Sequence, residues 1–240
     1  MVASTNTLET TVGQLVTQRP GRARVFEAFG IDYCCGGKKP LAEAIREKGL
    51  DPRTVVLVLQ TFDEQAPSDE RDWSKSSLAA LADHIELTHH AYLKSELPRL
   101  EYLVNKVANR HGSHTPRLVE LARIFAAFKL ELESHMHKEE AVLFPVCRQM
   151  ERASAPQQLH CGSVENPIAV MIREHDDAGD ALKRMRELTN DYTPPADACN
   201  TYRALFDSLR ELEQDMHRHV HKENSILFPK ALELEQKLGA

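Results

Sequence analysis

His135-Met-His-Lys-Glu139-Glu-Ala-Val-Leu143-Phe144-Pro145 occurs a second time in this chain, as His219-Val-His-Lys-Glu223-Asn-Ser-Ile-Leu227-Phe228-Pro229. Both copies read H-x-x-x-E-x-x-x-L-F-P and share an inner His-Lys, His137-Lys138 and His221-Lys222. On an α-helix, residues four apart differ by about 40° in direction and about 6 Å in height. Each copy therefore sets one imidazole and one carboxylate on one face, a turn apart. The Leu-Phe that follows continues that face with large apolar groups, so the pair faces a core. A lone His/Glu pair on a solvated helix is only a weak polar contact of a few tenths of a kcal/mol. Two copies in one register point instead to a metal centre.

Working outward, residues from Ser76 onward keep a helical period. The spacing predicts four long helices, roughly 76–109, 116–149, 166–190 and 196–237. Asn166-Pro167 and Thr115-Pro116 give helix-start signals. Pro98 is expected to kink the first helix, and Pro145 and Pro229 to kink or end theirs. No segment alternates with period two, so the expectation is all-α, an up-down-up-down four-helix bundle over 76–240. Residues 1–62 read as a small helical unit with Gly30 closing one of its helices. The acidic, proline-containing stretch 63–75 reads as a linker.

Composition narrows the class. The chain has 240 residues, 42% of them hydrophobic, 28% charged, and a net charge of −6, with no basic run to meet a nucleic acid. The longest aliphatic run, Val55–Leu59, is far too short to span a bilayer. The N-terminus lacks a signal-peptide pattern. Five cysteines, two of them adjacent, do not form a disulfide framework. A cytoplasmic protein is expected. All twelve histidines lie beyond residue 83.

If helices two and four each give a His and a Glu, helices one and three complete the site. Helix three offers only His175, whose face it shares with Ile168, Met171, Ile172 and Leu182. Helix one offers His84, His89 and His90. His84 aligns with His175, each after an acidic residue (Asp83, Glu174), but periodicity leaves His89 almost as good. The candidate ligands are His84, His135, Glu139, His175, His219 and Glu223. Four imidazoles and two carboxylates exceed what one zinc takes. They suit two metals bridged by both glutamates and a solvent-derived oxo or hydroxo group, and the donor types favour non-haem iron. His90, His137, His217 and His221 read as surface or supporting groups. Glu131 and Glu174 stand near His135 and His175 as candidate proton-relay carboxylates.

Cys34-Cys35, followed by Gly36-Gly37, is a second kind of signal. Adjacent cysteines disulfide-bond only in a strained ring, so free thiols are expected. Gly36-Gly37 should allow a sharp turn, and the helix start with Lys38 and Lys39 should lower the thiol pKa values. A redox or iron-handling role is the expectation.

Ile31-Asp-Tyr-Cys-Cys-Gly-Gly37 resembles the signature of the small N-terminal domain of the Repair of Iron Centers family, the di-iron iron–sulfur cluster repair proteins. Asp83-His84, Ser134-His135-Met136, Lys138-Glu139-Glu140, Glu174-His175-Asp176, Thr193-Pro194-Pro195 and Glu223-Asn224 resemble that family's hemerythrin-like domain. The resemblance covers nearly the whole chain, Ala153–Val164 being an extension. It implies a hemerythrin-like bundle and favours His84 over His89. It also implies a homodimer that restores damaged or apo iron–sulfur proteins by donating iron, with Cys34 and Cys35 implicated. Reduction of nitric oxide at the di-iron centre, or binding and sensing of oxygen or nitric oxide, are the competing functions it implies.

Overall fold

The computed structural model describes residues 7–65, 72–156 and 158–239. Among these, the regular structure is helical throughout. The core of the expected linker, residues 66–71, lies outside the described residues.

The N-terminal unit comprises α1 (Val12–Gln18), α2 (Arg22–Phe29), α3 (Leu41–Glu47) and α4 (Pro52–Gln65). Thr11 and Gln14 form a reciprocal capping box at the start of α1. Gly30 closes α2 with a left-handed φ of 63°, as its position predicts. Val12, Phe26, Tyr33, Leu41, Ile45 and Val55 pack a small core of their own. The loop after α2 lies on α1, whose first amides Val12 N–H and Gly13 N–H donate to Lys39 and Gly37 carbonyls at 2.9 and 2.8 Å. Gly37 is required by closeness and not by handedness: a Cβ there would stand 2.5 Å from the Tyr33 carbonyl oxygen.

Four long rods follow. The first is α5 (Leu78–His84), a π-turn Ile85–His90 and α6 (Ala91–His111). The second is α7 (Arg117–Lys138), a π-turn Glu139–Leu143 and α8 (Phe144–Arg152). The third is α9 (Glu165–Leu188). The fourth is α10 (Asn200–Lys222), a π-turn Glu223–Leu227 and α11 (Phe228–Gly239). They pack as the up-down-up-down bundle, α6 against α7 and α10, and α7 against α9. Glu151 ties the ends together by accepting from the Leu78 and Ala79 amides at 2.7 and 3.1 Å.

The prolines act differently from expectation. α6 runs through Pro98. Pro145 and Pro229 neither end nor break their rods but follow the π-turns. There Phe144 N–H and Phe228 N–H reach back five residues, to the Glu139 and Glu223 carbonyls. A helix already out of α register loses little when the next residue has no N–H.

The bundle core is cut in two. One apolar cluster runs from Leu93 through Phe125, Met136, Leu182 and Leu209 to Val220. The other gathers Leu81, Ile85, Leu143, Phe144, Met171, Leu227 and Phe228. On every rod the gap between the two holds buried polar residues: His90, Glu139, His175 and Glu223. A polar layer at this depth is costly unless its groups are paired or bind an ion.

Candidate metal centre

The polar layer forms two overlapping clusters. His90, Glu139, His219 and Glu223 make one; His135, Glu139, His175 and Glu223 make the other. In each, the candidate ligand atoms all lie within 4.8 Å of one another, and either cluster could hold a metal ion. Both glutamates belong to both. His135 Nε2 is 3.3 Å from Glu139 Oε2, His175 Nε2 is 3.1 Å from Glu223 Oε2, and His219 Nε2 is 3.0 Å from Glu223 Oε1.

Five of the sequence-derived ligands therefore converge and His84 does not. His84 is half-buried, its ring stacked on Trp73 at 3.8 Å and its Nδ1 paired with Thr88 Oγ1 at 3.1 Å. His90 takes the place expected of it, with Nε2 3.3 Å from Glu139 Oε2. The reason is the π-turn Ile85–His90, whose wider winding puts residues five apart on one face, so fully buried Ile85 is followed inward by His90. His89, the alternative, is buried but has both nitrogens engaged, Nδ1 with Asp215 at 2.9 Å and Nε2 as acceptor from Lys222 Nζ at 2.9 Å. Burial pulls its pKa down to about 4, so it is held neutral despite Asp215.

Each of three imidazoles is oriented through its other nitrogen. His90 Nδ1 pairs with Glu140 Oε1 at 2.8 Å, His135 Nδ1 with Glu174 Oε2 at 2.9 Å, and His175 Nδ1 with Asn224 Oδ1 at 2.9 Å. Lys94 and Lys138 in turn hold Glu140 and Glu174. An Nδ1–H donated to these oxygens leaves the Nε2 lone pair pointing into the layer. Glu140 and Asn224 stand one residue after Glu139 and Glu223, so the duplicated motif carried this signal too. Glu174 is placed as its position near His135 suggested, while Glu131 is exposed on the wall of a nearby cavity.

The residues fit a cationic metal. His135 Nε2 and His175 Nε2 face each other at 3.2 Å, an arrangement that two lone pairs tolerate only around a shared cation or proton. Among the described residues, buried polar atoms that make no aligned hydrogen bond, even where an ion-pair neighbour is close, concentrate here: His90 Nε2, both Glu139 oxygens, Glu223 Oε2 and His219 Nδ1. Burial opposes charge on Glu223, yet His219 and His175 hold its carboxyl well below the usual range. Burial likewise opposes charge on His135, and Glu139 beside it lifts the ring to about 9. The layer is built for positive charge at its centre.

The remaining histidines divide. His137 is exposed, as expected. His217 and His221 instead meet the N-terminal unit, their rings edge-on to buried Tyr33 at 6.0 and 5.6 Å. His221 Nδ1–H donates to the Tyr33 carbonyl at 3.3 Å, so His221 is an interface residue and not a surface one.

That interface brings the cysteines to the centre. Cys34 and Cys35 are free thiols with sulfurs 3.9 Å apart. Cys35 Sγ lies 3.3 Å from the His175 carbonyl, and Asp32, Cys34 and Cys35 form a further group able to hold a metal. The expected lowering of the thiol pKa is overturned for Cys34. Its hydrogen bond to Cys35, its burial and the Asp32 carboxylate 3.2 Å from its sulfur all push it well above the ordinary value. Lys38 is exposed and Lys39 is paired with Glu47, so neither offsets them.

Comparison with known proteins agrees with this architecture. Residues 81–231 match the hemerythrin HHE cation binding domain, and residues 8–63 match a domain of unknown function (DUF542). Proteins named iron–sulfur cluster repair protein YtfE from Citrobacter koseri and Escherichia coli O157:H7 are 36% identical over 221 residues. One from an Enterobacter species (strain 638) is 37% identical. Each alignment covers 92% of this chain and 96% of the relative.

Proposed function

Because this chain belongs to the family of the YtfE iron–sulfur cluster repair proteins, with a hemerythrin HHE cation binding domain, we propose that it repairs damaged iron–sulfur clusters with iron held in the polar layer. The observation that carries the reading is the sharing of Glu139 and Glu223 by two histidine pairs, His90 with His219 and His135 with His175. That donor set suits two non-haem irons bridged by both carboxylates and a solvent-derived oxygen. Iron held there would supply one-electron and Lewis-acid chemistry.

The chain's own groups do the rest. Glu140, Glu174 and Asn224 fix the ring orientations of His90, His135 and His175, and Lys94 and Lys138 hold the two carboxylates in place. The apolar clusters pack against the layer from both ends, and His90 and His219 are fully buried between them. Cys35 Sγ lies 3.3 Å from the His175 carbonyl, so Cys34 and Cys35, with Asp32, would offer sulfur and carboxylate ligands close to the helix that carries His175. In this reading the clients are iron–sulfur proteins stripped or damaged under nitrosative or oxidative stress, and the protein acts in the cytoplasm as a homodimer. No helix among the described residues is long and apolar enough to cross a membrane.

A second reading, reduction of nitric oxide, is favoured by a cavity of about 390 Å³ beside His135 and His175. Phe128, Leu132 and Met216 line it, a wall suited to a small apolar gas. Glu131 and Glu174 on the same wall could deliver protons.

The test is iron per chain and the visible spectrum of the oxidised protein, before and after adding an apo iron–sulfur protein with a reductant. About two irons per chain, declining as clusters appear in the client, support donation. Iron that stays bound while nitric oxide is consumed favours the second reading. One zinc and no oxo-bridge bands would refute the site.

A further inference from the structure

The two halves of the centre are alike in donors but differ in what surrounds them. His135 and His175 form part of the wall of the open cavity, together with Glu131, Lys138, Glu174, Asp177, Phe128 and Met216. His90 and His219 are fully buried. The His90 ring lies 5.6 Å from Phe144, and His219 sits under the parallel ring of His89 at 5.2 Å. His89 is itself tied down by Asp215 and Lys222. Reaching the His90–His219 half means displacing Phe144 or a doubly hydrogen-bonded imidazole. Reaching the other half requires only passage along a cavity whose wall holds Glu131, Glu174 and Asp177 against the one cation Lys138, which pairs with Glu174; the net negative wall draws cations.

We propose that the centre exchanges metal from one side only: His135 and His175 form the exchanging half, through the cavity lined by Glu131, Glu174 and Asp177, while His90 and His219 form the retained half. This rests on the two-iron reading above. Ala178 lines the route and His89 closes the other side, so a bulkier side chain at 178 and a smaller one at 89 should change the two release rates separately. One iron is then available to a client, and the second keeps the carboxylates and the bundle in place for reloading.

The experiment is anaerobic release of ferrous iron from the loaded full-length chain into an excess of a ferrous chelator, followed by absorbance. Wild type should release about half its iron at least about tenfold faster than the rest, a difference one buried hydrogen bond can supply (~1.4 kcal/mol). Ala178→Phe should slow the fast phase and leave the slow one alone. Glu131→Gln with Asp177→Asn, both exposed positions that folding tolerates, should slow the fast phase as well. His89→Ala should speed the slow phase alone. Release in a single phase from wild type, or plugging at residue 178 that slows both phases equally, would overturn the one-sided route. A wild-type chain that never takes up two irons fails the two-iron reading itself, before any release is measured.

Discussion

His137 and His221 hold the same place in the two copies of the repeated motif and meet opposite fates. His137 is exposed; His221 is buried beneath Tyr33 of the N-terminal unit. The same contrast runs through both copies. His135 is held through Nδ1 by Glu174 and faces an open cavity, whereas His219 is enclosed by its imidazole neighbours His89 and His90. The motif fixes which groups point inward, because helical period and the Leu-Phe face are local properties. It does not fix what covers them, because the N-terminal unit docks on one copy only.

The comparison can be broken at its strongest point, the equivalence of the shared carboxylates. Glu139→Ala and Glu223→Ala should each lower iron affinity by more than about 100-fold, beyond what loss of a supporting partner does. Iron content by elemental analysis decides; full retention in either variant would show that the carboxylate is not shared. Next in size is the contrast on the first rod. His90→Ala should lose most bound iron, while His84→Ala should keep a full complement, since His84 stacks on Trp73 outside the cluster. The reverse result would restore the simple helical register.

Smaller effects sharpen the contrast between copies. His221→Ala should destabilise the protein by about 1–3 kcal/mol through the unpaired Tyr33 carbonyl and lost packing. His137→Ala should stay within about 0.5 kcal/mol. Urea unfolding of the two apo variants measures both, and equal effects would remove the case for one-sided docking. The smallest effects belong to the ring holders. Glu140→Gln, Glu174→Gln and Asn224→Ala should each weaken iron binding roughly tenfold without abolishing it, read by competition with a chelator. Variants with unchanged affinity would show that apolar packing alone orients the rings.

Much of this was legible from residues alone. The four rods follow from the apolar period, and four of the six candidate ligands from a repeat whose spacing matches a helical turn. His175 follows as the single histidine of its rod. The holders Glu140 and Asn224 were within reach as well, since each stands one place after a repeated glutamate. Position 90 was not. A helical period assigns His84 or His89 to the inner face, and only an extra residue per turn at Ile85–His90 carries His90 there. The other two π-turns fall on the repeated Glu-to-Leu-Phe-Pro segments, but Ile85–His90 carries no such motif, so nothing in its own residues announced it.

The sequence by itself determined an all-helical chain, its duplicated His/Glu code and its adjacent thiols, because these rest on backbone periodicity and side-chain chemistry. Tertiary structure decided which histidine completes the centre, which copy of the motif is covered, and that the Cys34 thiol is buried beside Asp32 at the wall of the bundle. Those outcomes depend on where distant segments meet, and burial and charge act through space and not along the chain.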